Sequence, residues 1–212
     1  MPQIPIDPKR TGLVFFDMLN CYIHPADPEK ERRIAQTGVV DRSVQMAQAA
    51  RQAGIPIFYT NGAYRPDGSD YGRVITDADM EMEPWPDGPQ LIEKPYAIEG
   101  TRANQVIAEL APRPEDHVIP KHRWSSFAGT HLDTLLRCLG IDTILLAGGS
   151  TDVGIISTAY AARDLGYHLI ILRDACQSQR PGAQDFCMNR LFPRMARVMN
   201  VDQAISLIRP SG

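Results

Sequence analysis

The feature that most constrains this fold is the alternation of short apolar runs with helical patterns along the chain. A strand that is apolar throughout is buried on both faces, and such strands are typical of parallel sheets covered by helices. The predicted strands are Thr11–Phe16, Ile55–Thr60, His117–Pro120, Thr143–Ala147, His168–Leu172 and Ala196–Met199. We therefore predict a doubly wound α/β fold, a three-layer α/β/α sandwich around a mostly parallel six-stranded sheet.

Four helices are predicted between these strands. Their apolar side chains recur at the three- and four-residue spacing of one helix face, and glycine follows three of them, as at many helix C-termini. The predicted helices are Val39–Ala53, Leu132–Leu139, Ile155–Leu165 and Ala183–Leu191. Residues 64–100, rich in proline and glycine, interrupt this pattern. We interpret them as a long loop excursion of a single domain spanning residues 1–212.

Composition narrows the classes of protein. The 212 residues carry 22 basic and 25 acidic side chains, a net charge of −3, and 43% of them are hydrophobic. A disordered chain and a general nucleic-acid binder are both excluded, because the first lacks such a core and the second needs a basic face. No apolar run is long enough to span a bilayer, and the N-terminal residues do not resemble a signal peptide. We expect a cytoplasmic protein with no membrane partner.

The four cysteines do not predict a metal or redox site. Cys21, Cys138, Cys176 and Cys187 include no CxxC pair, and the five histidines show no ligand spacing. Each cysteine is therefore interpreted first as a small core residue. We predict no metal and no cofactor.

Polar residues follow the predicted strands at the edge where ligands bind in such sheets. Asp17 follows the first strand, Asn61 the second and Lys121 the third. A carboxylate at the mouth of an apolar strand is suited to proton transfer, and a cation beside it can stabilise developing negative charge. Taken singly, Asp17 is better explained as a helix cap or structural ion pair, and Lys121 can be explained as a surface lysine after a strand.

A fourth strand end carries the glycine-rich turn GGSTDVG, residues 148–154, which leads into a helix. Backbone N–H groups at a helix N-terminus can hold an anion or oxyanion. The turn matches neither a phosphate-binding loop nor a dinucleotide-binding motif, and a well-capped helix explains it equally well. GxSxG and HExxH motifs are absent.

Together these segments resemble the isochorismatase-like hydrolase family, also called the cysteine hydrolases. The resemblance runs from VFFDMLNCYIHP through YTN and KHRWSSFAGTHLDTLLRCLGIDTILLAGGSTDVGIISTAYAARDLGY to LRDACQS, most of the chain. It implies a Rossmann-like fold and a catalytic role for Asp17 and Lys121. It also implies a non-proline cis peptide at Gly149–Ser150, and an oxyanion hole formed by backbone groups near Ser150 and Gly154.

The sequence departs from the amidase members at Gly154, which stands where their nucleophilic cysteine would be. Glycine cannot form a thioester. Glycine at this position resembles the isochorismatase branch, which implies hydrolysis of a vinyl ether with no covalent intermediate, Asp17 delivering the proton. On this hypothesis Gly154 leaves a small space for a water or a substrate oxygen. The alternatives are an amidohydrolase of carbamoyl, ureido or amide substrates whose cysteine is replaced, and a non-catalytic binding protein.

A second departure concerns the metal of nicotinamidases, whose Asp-x-His ligands are absent from YTNGAYR. The substrate is expected to be a small molecule. Because members of the family commonly form dimers or tetramers, the resemblance also implies a homo-oligomer. Residues near the strand ends that could line the substrate pocket are Tyr22, Asn61, Trp85, Arg123, Trp124 and Phe127.

Overall fold

The computed structural model of the protein describes residues 4–70 and 97–208. Its centre is a six-stranded sheet with the strand order β3-β2-β1-β4-β5-β6, and every neighbouring pair is parallel. The strands are β1 Thr11–Phe16, β2 Ile57–Gly62, β3 His117–Lys121, β4 Thr143–Gly149, β5 His168–Gln177 and β6 Arg197–Met199. The predicted α/β fold around a six-stranded sheet is confirmed.

Helices cover both faces of the sheet. They are α1 Asn20–Ile23, α2 Pro28–Gln36, α3 Val39–Gln52, α4 Leu132–Cys138, α5 Ile156–Asp164, α6 Ala183–Phe186 and α7 Val201–Leu207. One core contains side chains of α3 and α7 with Phe15, and the other contains side chains of α4 and α5 with Phe16. Adjacent residues of one buried strand thus enter opposite cores, which makes the three layers. No helix in the described ranges has the length and apolarity to cross a membrane.

Three helices, α1, α2 and α7, were missed by the sequence prediction, although α2 and α7 each carry a start signal. Asp27 accepts hydrogen bonds from the backbone of the first turn of α2, and Pro28 is its first residue. Asn200 and Gln203 form a reciprocal capping box at the start of α7. Short helices with little apolar periodicity are recognised by their caps rather than by their pattern.

Other boundaries differ from prediction. The predicted helix Ile155–Leu165 begins as a wide π-helical turn, Thr151–Ile155, before α5, and α6 likewise continues as a π-helical turn. Strand β5 runs on to Gln177, where it pairs with the end of β4. Most of the predicted loop excursion, residues 71–96, lies outside the described residues.

The strand order places the candidate residues. The sheet grows outward in one direction from β1 to β3 and in the other from β4 to β6, so the connections diverge between β1 and β4. Ligands of open α/β sheets bind at the carboxyl edge beside such a divergence. Asp17, Lys121 and the turn after β4 all lie at this edge.

Candidate active site

Asp17 and Lys121 form a buried ion pair at the carboxyl edge of the sheet. Lys121 ends the edge strand β3, with β2 between it and β1, and its Nζ lies 2.8 Å from Oδ2 of Asp17. The Asp17 side chain is 9% exposed and the Lys121 side chain 3%. A buried pair of this kind contributes little net stability against an apolar replacement, and loss of one member leaves an unpaired charge.

The backbone of β2 fixes the orientation of Asp17. The amide of Gly62 donates a hydrogen bond of 2.6 Å to Oδ1, and the amide of Asp17 donates one of 3.0 Å to the carbonyl of Thr60. Asp17 has a φ of 48°, in the left-handed region that L residues seldom occupy. Such strain, about 1 kcal/mol, persists where surrounding contacts over-determine the conformation. Both carboxylate oxygens accept hydrogen bonds, so the carboxylate is held in one position.

Phe16, which the sequence analysis treated only as a strand residue, is part of this site. Its ring lies under the Lys121 ammonium, 4.0 Å from Nζ to the ring centroid. The ring also meets the turn after β4, where a methyl group added to Gly154 would lie 2.0 Å from two ring carbons. The small space expected at Gly154 is therefore absent, because the Phe16 ring fills it; that expectation was wrong.

The turn after β4 has the conformation that the resemblance implied at Gly149–Ser150, a cis peptide bond. Gly148 has a φ of 120°, and a Cβ there would lie 2.1 Å from the Phe16 carbonyl oxygen, so only glycine fits. The Ser150 carbonyl accepts hydrogen bonds from the amides of Val153, Gly154 and Ile155 at 3.0–3.3 Å. The Gly154 amide, a predicted oxyanion donor, is thus bonded within the turn.

A side-chain network that was not predicted supports this turn. Ser150 donates a hydrogen bond of 2.6 Å to Oδ1 of Asp152, and Nη1 of Arg180 lies 3.4 Å from Oδ2. Burial raises the pKa of Asp152, but hydrogen bonds from Ser150 and Ser178 and the charge of Arg180 outweigh it, so its pKa lies below the usual range. Asp152 therefore serves the turn as a charged acceptor.

Three buried hydroxyl groups join the elements around the ion pair. Thr60 on β2 and Ser126 in the loop after β3 lie 2.8 Å apart through their oxygens, and Thr158 on α5 lies 3.2 Å from the same Ser126 oxygen. Ser126 also donates its amide to Thr158 at 3.0 Å. The loop that follows Lys121 is thereby attached to β2 and to the helix that follows Gly154.

The predicted pocket residues are scattered. Asn61 is buried at the end of β2, directly between the two residues that bond to Asp17, and Tyr22 on α1 is half-buried in a small cluster with Tyr64 and Ala97. Trp85 lies outside the described residues.

The remaining three predicted pocket residues follow Lys121. Arg123 is exposed and donates to the carbonyl of His122 at 2.6 Å, and Trp124 is 45% exposed. Phe127 turns into the core, where its ring stacks on Tyr167 at a centroid distance of 5.7 Å. Of the predicted pocket residues that the structure describes, Asn61 is next in the chain to the residues that bond to Asp17.

The cysteines are not activated. Burial raises the pKa of Cys21 to about 11, and burial also raises the pKa values of Cys176 and Cys187. Cys138 is exposed on α4. Within residues 4–70 and 97–208, no group of three or more histidine, cysteine or acidic side chains is placed to hold a metal ion.

Comparison with known proteins identifies the relatives of this arrangement. A family model described as the isochorismatase domain matches residues 11–203. The chain is 29% identical to the isochorismatase family protein YecD of Escherichia coli O157:H7, over 97% of this chain and 100% of the relative. It is 31% identical to the ureidoacrylate amidohydrolase RutB of Pseudomonas syringae, over 97% of this chain and 86% of the relative.

Solved structures with a similar fold also superpose on this chain. An isochorismatase family protein from Burkholderia thailandensis superposes with a TM-score of 0.78 at 28% identity, covering 97% of this chain and 99% of that one. N-carbamoylsarcosine amidase from Thermoplasma acidophilum superposes with a TM-score of 0.68 at 28% identity, covering 91% and 97%.

Proposed function

The chain belongs to the isochorismatase family and is a hydrolase, and from that premise we propose that it cleaves its substrate without a covalent cysteine intermediate. The proposed reaction is hydrolysis of a vinyl ether of the isochorismate type. Asp17 and Lys121 are the proposed catalytic residues, and Gly154 stands at the position of the cysteine nucleophile of the amidase members.

The observation that carries this proposal is the position of the Phe16 ring. A Cβ at residue 154 would lie 2.0 Å from two carbon atoms of that ring, so a side chain there requires the ring to move. The ion pair, in contrast, is intact, buried and oriented by the Gly62 amide. The chemistry that these residues support is proton transfer rather than nucleophilic attack by a thiolate.

The proposed reaction needs water as its only co-reactant. Asp17 passes to the terminal vinyl carbon a proton that it takes from Nζ of Lys121, and the electron pair of the double bond forms the new C–H bond. The positive charge that develops on the ether carbon and oxygen is stabilised by the Asp17 carboxylate. Water adds to this oxocarbenium ion and returns a proton to the pair. The resulting hemiketal then breaks its C–O bond, the proton of its hydroxyl group passes to the leaving oxygen, and the alcohol and pyruvate are released.

Pyruvate release from isochorismate, with the wild-type protein and with Asp17→Asn, tests this proposal. Turnover by the wild type that falls by about 10³-fold in the variant is expected, since a positioned acid contributes 10²–10⁴-fold. Asp67→Asn, a change at an exposed carboxylate on the surface, is the matched control and should keep full activity. Absence of turnover by the wild type would refute vinyl-ether hydrolysis.

A second candidate is hydrolysis of a C–N bond, favoured by the 31% identity with a ureidoacrylate amidohydrolase and the likeness to an N-carbamoylsarcosine amidase. In this chain the attacking group would be water activated by Asp17, since residue 154 has no side chain. Ammonia release from ureidoacrylate by the wild type, with no turnover of isochorismate, would favour this candidate. A protein that binds both compounds and hydrolyses neither would favour the third possibility, a binding protein.

The type of substrate, the assembly state, the location and the domain organisation of the protein are also proposals. The resemblance supports a small-molecule substrate, a dimer or tetramer, a cytoplasmic location and a single domain across residues 1–212. Light scattering of the purified chain tests the assembly, and a monomer at micromolar concentration would refute it.

A further inference from the structure

A buried side-chain oxygen on β2, the strand whose backbone orients Asp17, has no hydrogen-bond partner among the described residues. Oδ1 of Asn61 is fully buried and unpaired in the part of the chain that the structure describes, and the residue is 6% exposed. Native proteins leave few such atoms, because an unsatisfied buried acceptor is destabilising. An acceptor kept in this state at an active site is suited to a ligand that supplies the missing donor.

The backbone on either side of Asn61 contacts Asp17. Its two chain neighbours bind Asp17, Thr60 through the Asp17 amide at 3.0 Å and Gly62 through its own amide at 2.6 Å. Across the sheet Asn61 is in register with Pro120, the residue before Lys121, and proline has no amide N–H to donate. Asn61 therefore lies between the two backbone groups that bond to Asp17, and it pairs with the residue before Lys121.

We propose that Oδ1 of Asn61 accepts a hydrogen bond from a hydroxyl or N–H group of the substrate, next to the bond that is cleaved. This inference rests on the proposed hydrolase function and narrows its substrate class to small molecules with a neutral donor beside the scissile bond. A ring hydroxyl beside a vinyl ether meets this requirement, and so does the N–H of a ureido group. A compound lacking the donor leaves the oxygen buried and unpaired in the complex, and such sites reject it strongly.

Asn61→Leu tests the proposal, because leucine keeps a similar volume and removes the unpaired oxygen. The variant should melt higher than the wild type by about 3 °C, as expected for relief of a penalty of this size in a chain of about 200 residues. Its KM for isochorismate or ureidoacrylate, whichever the wild type turns over, should rise at least 10-fold. Ser43→Ala is the matched control: the Ser43 hydroxyl is also buried and unpaired among the described residues, but lies on α3. It should melt as high as the wild type or higher, with KM unchanged.

The two readouts separate this inference from the proposed function. If the wild type turns over neither compound, the proposed function fails. The role of Asn61 is then still decided by two measurements, the melting temperature of each variant and the change in melting temperature when either compound is added. A higher melting point for Asn61→Leu, with loss of any ligand-induced shift, supports the inference. A lower melting point would overturn it, because the oxygen would then have a structural partner. An unchanged KM would overturn it equally.

Discussion

The two halves of the sheet end at the same edge but present different chemistry there. The half from β1 to β3 presents the charged pair Asp17–Lys121, held by backbone amides in a buried setting. The half from β4 to β6 presents the turn that leads to Gly154, braced by Ser150, Asp152 and Arg180 around a cis peptide bond. Phe16 lies between them, under Lys121 and against Gly154. The proposed reactive groups therefore lie in one half of the sheet, while the other half supplies the turn against which Phe16 packs.

The largest effect is expected from removing Lys121, one member of the ion pair in the half from β1 to β3. Lys121→Met removes the partner of a buried carboxylate, so turnover should fall by about 10³-fold and the free energy of unfolding by about 3 kcal/mol. Steady-state kinetics and urea denaturation measure the two losses. Lys9→Met, at an exposed lysine, is the control, and wild-type turnover by Lys121→Met would show that the pair is structural only.

The next effect tests the contact between the halves. Gly154→Cys should destabilise the protein by about 2 kcal/mol, because the new side chain meets the Phe16 ring. Phe16→Ala should also destabilise it, through a cavity. Since the cavity accommodates the cysteine, the double variant should be more stable than the sum of the two losses predicts, by at least about 1 kcal/mol. Additive losses in denaturant unfolding would show that residue 154 and the ring do not compete for space.

A smaller effect on stability is expected from Asp152, in the half of the sheet from β4 to β6. The folded-state pKa of Asp152 lies below its unfolded value, so the stability it contributes is present above the ordinary carboxyl pKa near 4 and is lost as the pH falls through the folded value. Asp152→Asn should therefore lower stability by about 1 kcal/mol at pH 7, and the difference should shrink below about pH 4. Thermal melts from pH 7 to pH 3 measure this. A difference that grows in acid would reverse the assignment of the charged form.

Alkylation of a cysteine is expected to have no effect on turnover. Alkylation with iodoacetamide at pH 7.5 should modify the exposed Cys138 and leave turnover unchanged, because burial raises the pKa of Cys21 to about 11 and protects Cys176. Mass spectrometry of the labelled protein, with activity measured on the same sample, decides the matter. Inactivation in proportion to the labelling of any cysteine would bring a thiol back into the mechanism.

Sequence reasoning reached the sheet and the residues at its edge for a physical reason. The apolar runs before Asp17 and Lys121 identify buried parallel strands, and parallel strands bring their carboxyl ends together whatever the details of packing. The cis peptide at Gly149–Ser150 came from the family resemblance rather than from periodicity, since no local pattern specifies it.

The role of Phe16 could not be predicted in this way. Its ring contacts Lys121 and Gly154, which are 105 and 138 residues further along the chain. Such contacts depend on how three elements pack, and one more aromatic residue in an apolar run carries no sign of them. The prediction of open space at Gly154 failed because the absence of a side chain at one position says nothing of which neighbour fills the volume.

The contact between Phe16 and Gly154 also restricts how this chain can change over generations. A single substitution that adds a side chain at residue 154 clashes with the ring, and a single substitution that removes the ring leaves a hole under Lys121. Under the proposed function, exchange between cysteine and glycine at residue 154 therefore passes through a less stable intermediate sequence, whichever of the two residues changes first. Each residue of the pair thus restrains replacement of the other.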